Sequence, residues 1–244
     1  MEDRNDDSQF MGHPDVQLYL RELLPAIIEE SDRGAVLLAA SQIDEQLKQL
    51  FETILPDETS NRRKKEIFNL TGPFGSFSAK LDVAYVCRLL PATLIKAIHR
   101  FRMLRNDVAH EALRFRLKDH KAQIYEIFSL VGPGVDLGVN RMALELMMES
   151  ILGHLTSIES PTEEGKPMFD SRQAVLDYLS ENPGSLKNAE DHQQRWELGV
   201  GGGIICGLIV YHRDRLSAAI GPDDTLVSVF RRMEKSNESK PRPR

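Results

Sequence analysis

Cysteine is scarce in this chain of 244 residues, which has only Cys87 and Cys206. The two are far apart in the sequence, and neither has a neighbouring histidine or a second cysteine. This excludes a disulfide framework and a cysteine-based zinc site, and it is typical of a protein from a reducing cytoplasm. We therefore expect a cytoplasmic protein.

Long apolar runs are also lacking. The longest, LGVGGGIICGLIVY at 198–211, falls short of the roughly 20 residues that a membrane-spanning helix needs, and charged residues flank it. We expect this run to be buried in the protein, with a membrane-dipping segment as the alternative. Its glycines lack a P-loop or dinucleotide fingerprint and predict close backbone packing or a hinge. The acidic start, MEDRNDDSQF, has no apolar stretch, so no secretory signal is expected.

An excess of positive charge is absent, because the formal net charge is −6. This argues against a general nucleic-acid coat but leaves room for a local basic groove. Apart from His110, the histidines stand singly without metal-ligand spacing, so we expect no metal and no cofactor. These single histidines are His13, His99, His120, His154, His192 and His212.

The clearest pattern in the sequence is the helical periodicity of its apolar residues. Apolar residues recur at steps of three and four in DVQLYLRELLPAIIEES and GAVLLAASQIDEQLKQLFETIL, where Pro25 predicts a kink and Ser31 or Asp32 predicts a cap. No segment alternates as a strand does, so the predicted fold is all-α. Further helices are predicted in SNRRKKEIFNL, AKLDVAYVCRLL, ATLIKAIHRFRMLRNDVAHEAL and KDHKAQIYEIFSLV, and the second of these is expected to be capped by Ser76 or Ser78. Two more helices are predicted at 140–159, with a Leu/Met core stripe, and at 171–181. The segment VGPGVDLG is predicted to be a loop.

Composition also predicts the domain organisation. Residues 1–14 are expected to be an acidic disordered arm, and 15–159 a helical bundle. ESPTEEGKP at 159–167 is the best linker candidate. Residues 160–230 are expected to form a C-terminal helical extension, and 231–244 a basic disordered tail.

One stretch, FRMLRNDVAH at 101–110, carries an unusual group of polar residues. Continuing the apolar stripe Leu94, Ile98, Phe101 by a step of four gives Arg105, so we expect this guanidinium at the edge of the buried face, where an unpaired charge is costly. Arg105 and His110 are five residues apart, about 140° around a regular helix. To act together they need a helix break near His110, or the same motif from a second chain across a two-fold axis.

These residue types suit metal-free RNA cleavage. The planar fork of Arg105 matches a phosphate, and the imidazole of His110 can move a proton while the RNA 2′-hydroxyl attacks phosphorus. The alternative is structural: Arg105 pairs with Asp44 or Glu45 and locks the bundle. Residue types alone favour this alternative.

RNDVAH nevertheless resembles the signature of the HEPN superfamily. Together with AASQIDEQLKQLF, GPFGSFSAKLDVAYVCRLL and IHRFRMLRNDVAH, it resembles the mannitol operon repressor-like (MltR-like) branch, over roughly residues 16–130. The resemblance implies a helical bundle that dimerises and brings two motifs into one cleft. Many HEPN proteins are metal-independent endoribonucleases of toxin–antitoxin, CRISPR-linked or antiphage systems.

Carried over by position, the resemblance makes Arg105 and His110 the catalytic pair and Asn106 the polar residue that follows the arginine. Supporting roles are expected for Asp44 or Glu45 and for Arg102 and Asp107. Ala112 stands where toxins controlled by adenylylation carry tyrosine. The repressor-like branch implies an alternative, a non-catalytic regulator or interaction module, although no helix-turn-helix is visible. Residues 160–244 lie outside the resemblance and are the expected place for a protein partner.

Overall fold

The computed structural model describes residues 12–110, 115–160, 166–221, 224–225, 228–229 and 231. The regular secondary structure of the described residues is helical, apart from an isolated bridge between Glu159 and Pro167, which confirms the predicted all-α class. The helices are α1 (Pro14–Leu18), a π-helical turn (Tyr19–Leu23), α2 (Leu24–Glu29), α3 (Asp32–Thr53), α4 (Asn61–Phe68), α5 (Phe77–Val86), α6 (Ala92–His110), α7 (Lys121–Val131), α8 (Val135–Ser157), α9 (Arg172–Glu181) and α10 (Lys187–Ala219).

Serine side chains cap four of the predicted helices, and two of these caps had been predicted. The Ser31 hydroxyl accepts the N–H of Gly34 at the start of α3, and the Ser76 hydroxyl accepts the N–H of Ala79 at the start of α5. Each cap satisfies one of the N–H groups that have no acceptor inside their own helix. The sequence therefore located both starts correctly.

The π-helical turn stands where the sequence predicts a kink. Pro25 has no N–H to donate, so the regular hydrogen-bond ladder cannot pass through it. Immediately before it, the N–H of Leu24 reaches back to the carbonyl of Tyr19, the wider spacing of a π-helix.

Helix α10 packs along α3 and contacts α2 and α8, at the centre of the molecule. Its Leu198 and Ile205 belong to the same hydrophobic core as Val36 and Leu47 of α3. The region predicted as an appended extension thus supplies part of the main core. The predicted linker begins and ends side by side, because the N–H of Met168 donates to the carbonyl of Ile158 (2.7 Å).

The Gly-rich run lies inside α10 and is buried, as predicted. A Cβ at Gly201 would collide with the ring of Phe128, and one at Gly203 would lie 2.8 Å from Cε1 of Tyr19. The Tyr19 hydroxyl donates to the carbonyl of Gly199 (2.7 Å), and burial raises the pKa of this phenol. The glycines therefore give close packing, the first of the two predicted roles. No helix in the described part of the chain is long and apolar enough to cross a membrane.

Two details of α8 correct the sequence interpretation. The helix begins at Val135, inside the segment VGPGVDLG that was predicted to be a loop. Its apolar residues also do not all face the core: Ala143 and Met147 are buried, whereas Leu137 and Leu144 are exposed. Only part of the Leu/Met stripe therefore packs inside.

A charged contact joins the beginning and the end of the chain. The Arg195 guanidinium on α10 pairs with Asp32 (3.1 Å) and donates to the carbonyl of Ile28 (3.0 Å). The other carboxylate oxygen of Asp32 accepts the N–H of Leu117 (2.9 Å). The segment that follows the RNDVAH motif is thus anchored, through Asp32, to the last helix.

Candidate functional site

Helix α6 carries the RNDVAH motif, and its predicted core stripe, which includes Leu104 and Val108, is buried. Phe101, Leu104 and Val108 are fully buried, whereas Arg105 is exposed. The expectation that Arg105 lies at the edge of the buried face is therefore wrong. An apolar helix face accepts steps of three as well as four, and here Leu104 occupies the core position.

A cleft of about 340 Å³ lies between α3, α6 and the start of α5. We call it the arginine cleft. Each of the three segments that carry the family resemblance contributes to it. The lining includes Ser41 and Asp44 of α3, Gly75, Ser76, Phe77 and Ser78 at the start of α5, and Arg102, Arg105 and Asn106 of α6.

The two arginines of the cleft have no carboxylate partner among the described residues. Arg105 donates one hydrogen bond, from Nη1 to Oδ1 of Asn106 (3.3 Å). Arg102 is half-buried, and its Nε is buried without a hydrogen-bond acceptor. Both guanidinium groups therefore keep most of their donors for another acceptor.

The carboxylates that were expected to pair with Arg105 pair with lysines instead. Asp44 lies 2.9 Å from Nζ of Lys80, which is only 3% exposed and also donates to the carbonyl of Phe74. Glu45 pairs with Lys48 (3.1 Å), and this hydrogen bond raises the pKa of Lys48. The structural alternative, in which Arg105 binds Asp44 or Glu45, does not hold. Of the two acids, Asp44 lines the cleft.

His110 is the exposed last residue of α6 and is not among the lining residues of the cleft. The helix continues through it, so no break before His110 brings it towards Arg105. Asp107 is also directed elsewhere: it is exposed and accepts a hydrogen bond from Gln123 of α7 (3.2 Å). Residues 111–114, including Ala112, lie outside the described residues.

Two contributions to the cleft were not predicted from sequence. The buried Lys80 holds Asp44, and Ser78, considered only as a cap, lines the cleft beside the capping residue Ser76. The carboxylate of Asp44, among the apolar residues of α3, was the one sequence signal that a cation should lie nearby. Nothing in the sequence identified that cation as Lys80.

No group of three His, Cys, Asp or Glu side chains that could hold a metal occurs within the described ranges. Comparison of the chain with family models, with curated proteins and with solved structures found no match. The function must therefore be inferred from the arginine cleft and the chemistry of its residues.

Proposed function

We propose that this chain is a HEPN-like, dimeric, metal-independent endoribonuclease that cleaves single-stranded RNA, in a stress or phage-defence setting. The observation that carries the proposal is the arginine cleft, where three segments distant in sequence converge on Arg105 and Asn106. Arg105 is exposed and bound only to Asn106 among the described residues, so its guanidinium is available to a ligand.

The proposed reaction needs no metal ion. The 2′-hydroxyl of the RNA gives its proton to His110 and attacks the adjacent phosphorus, and Arg105 stabilises the negative charge of the phosphorane. The P–O5′ bond then breaks, the protonated histidine returns the proton to the leaving 5′-oxygen, and a 2′,3′-cyclic phosphate remains on the other fragment. Because Oδ1 of Asn106 accepts a hydrogen bond from Arg105, Asn106 orients the guanidinium. Lys80 neutralises Asp44, so this carboxylate does not repel the phosphate.

A second copy of the chain is part of the proposal. His110 does not line the cleft of its own chain, and five residues on a regular helix separate two side chains by about 140°. A two-fold axis beside α6 allows Arg105 of one protomer and His110 of the other to face the same phosphate.

The first test is RNA cleavage in the presence of EDTA. The wild type is expected to cut a single-stranded RNA, and Arg105→Ala should lower the rate by about 100-fold or more, because it removes the group that stabilises the developing charge. His110→Ala should lose a similar factor through general acid–base catalysis. Equal rates for all three proteins, or no cleavage by the wild type, would refute the proposal.

Mixing the two inactive variants tests the shared site. In a mixed dimer, the Arg105→Ala protomer supplies His110 and the His110→Ala protomer supplies Arg105, which restores one site. After subunit exchange, about a quarter of wild-type activity is expected, since about half of the dimers are mixed and each has one complete site. If each variant alone is inactive and the mixture also stays inactive, Arg105 and His110 do not act across a dimer.

The alternative is a non-catalytic, MltR-like transcriptional regulator or interaction module, with a protein partner at residues 160–244. In that role, Arg105 would be retained to hold the bundle together. Arg105 is exposed, and among the described residues it makes a single hydrogen bond, to Asn106, so the structure supports this alternative less than it supports the nuclease.

A further inference from the structure

The arginine cleft concentrates positive charge in an acidic protein. The chain has a net charge of −6, yet the cleft contains Arg102 and Arg105, and its carboxylate, Asp44, is balanced by Lys80. Three cations and one anion leave an excess of two positive charges. A concave site with this excess favours an anionic ligand.

Arg102 adds a second guanidinium to the one that the catalytic proposal uses. It precedes Arg105 by three residues, so the two side chains are neighbours on one face of α6. The Nε of Arg102 is buried and has no acceptor among the described residues, an arrangement that costs free energy unless a ligand supplies one. A phosphate oxygen is the acceptor that a guanidinium fork matches best.

The start of α5 supplies further donors to the lining of the cleft. Phe77 and Ser78 are the first two residues of this helix, and the N–H groups of a first turn have no acceptor within the helix. The Ser76 hydroxyl already accepts the N–H of Ala79, so its own proton remains available to donate. Ser76 and Ser78 both line the cleft.

We infer that the arginine cleft binds a phosphodiester of a nucleic-acid strand, with Arg102 as a positioning residue next to Arg105 and with hydroxyl and N–H donors from the start of α5. This inference rests on the proposed function only for the identity of the strand as RNA. Arg102 holds the phosphate in place and takes no part in proton transfer.

The test measures binding without cleavage. The probe is a fluorescently labelled, single-stranded 2′-O-methyl oligoribonucleotide, which lacks the attacking hydroxyl, and anisotropy is recorded over a series of salt concentrations. Arg102→Ala is expected to weaken binding about tenfold and to reduce the slope of log K against log salt by about 0.7, one phosphate contact on a single strand. Arg141→Ala is the matched control, since Arg141 is exposed on α8 and pairs with Glu145 away from the cleft; it should change neither quantity.

A second variant protects the test against misfolding. Ser78→Asp places a negative charge in the first turn of α5, where it favours the helix, but it opposes an anion in the cleft. It should melt at or above the wild-type temperature and bind the probe at least tenfold more weakly. Wild-type affinity and salt slope in Arg102→Ala and Ser78→Asp would overturn the inference, as would an equal loss in Arg141→Ala.

Cleavage and binding fail separately. If the variants lose binding as expected but the wild type cuts no RNA, the nuclease proposal is wrong and the phosphodiester site stands. If the wild type cuts RNA but Arg102→Ala and Ser78→Asp bind the probe normally, the inference about this site is wrong and the nuclease proposal stands.

Discussion

At the scale of single residues, charge and burial are arranged in opposite ways at Arg105 and Lys80. Arg105 is exposed and contacts only Asn106 among the described residues, whereas Lys80 is buried against Asp44 and the carbonyl of Phe74. The sequence pattern predicted that Arg105 lies at the edge of the buried face, where an unpaired charge costs free energy. Leu104 was predicted in the core and is buried there, but the sequence pattern does not show how much of an edge position such as Arg105 the neighbouring helices cover.

The first stability prediction compares Arg105→Ala with Lys80→Met. Arg105→Ala should change the free energy of unfolding by less than about 0.5 kcal/mol, because the side chain is at the surface. Lys80→Met should cost about 1–3 kcal/mol, since it leaves the half-buried Asp44 and the Phe74 carbonyl without their donor. Urea unfolding of both variants measures this, and a larger loss for Arg105→Ala contradicts the geometry.

His212 makes stability depend on pH. Burial, and then the charge of Arg215, lower the pKa of this half-buried histidine below its usual 6.5. Between the lowered pKa and 6.5 the unfolded chain binds more protons than the folded one, so stability falls as the pH drops through this window and is unaffected above it. Thermal melts between pH 7 and pH 5 should show a smaller decrease for His212→Gln than for the wild type; equal decreases would exclude His212 as a cause.

At the scale of secondary-structure elements, the sequence located most of the helices but not all of their ends. Serine caps and periodic apolar residues predicted α3 and α5, because both signals are local. The start of α8 at Val135 was missed, since Gly132, Pro133 and Gly134 stand directly before it and Gly138 lies in its first turn, and such residues usually mark a loop. The packing of one helix against another depends on contacts between residues that are distant in sequence, and a local sequence pattern does not predict such contacts.

Two glycine substitutions distinguish close packing from simple helix propensity. Gly201→Ala in α10 should destabilise the fold by about 1–3 kcal/mol, because the added methyl group meets the ring of Phe128. Gly153→Ala in α8 is the control: a Cβ there meets nothing within 4 Å, so the substitution should stabilise the helix by roughly 0.5–1 kcal/mol. Opposite shifts in melting temperature are expected, and two shifts of the same sign would contradict this packing.

At the scale of the whole molecule, α10 belongs to the centre of the bundle rather than to an extension. The sequence could not predict this position, because the composition of residues 159–167 is typical of a linker between domains. The hydrophobicity of a helix predicts that it is buried, but not which other helices it packs against. The cleft was predicted in part: Arg105, Asn106, Arg102 and Asp44 line it. Its lysine, and the distance of His110 from it, depend on the packing of three helices.

A shortened chain tests the position of α10. A fragment of residues 1–160 lacks α10 and therefore exposes the apolar face of α3, so we expect it to aggregate or to show no cooperative unfolding. A fragment of residues 1–231 keeps every buried residue of the described core and should unfold as the full chain does. Cooperative melting of the shorter fragment, followed by circular dichroism, would show that α10 is not required.

The link from Arg195 through Asp32 to Leu117 also has a consequence for the order in which the protein is made. The ribosome synthesises the RNDVAH motif, which ends at His110, well before α10, which begins at Lys187, yet the segment after the motif is held by an aspartate whose own partner lies on α10. Domains fold once their last contacts have emerged. We therefore expect the proposed nuclease to acquire its activity only after α10 has been synthesised, so that the ribosome is not exposed to a finished cleft while the preceding part of the chain is made.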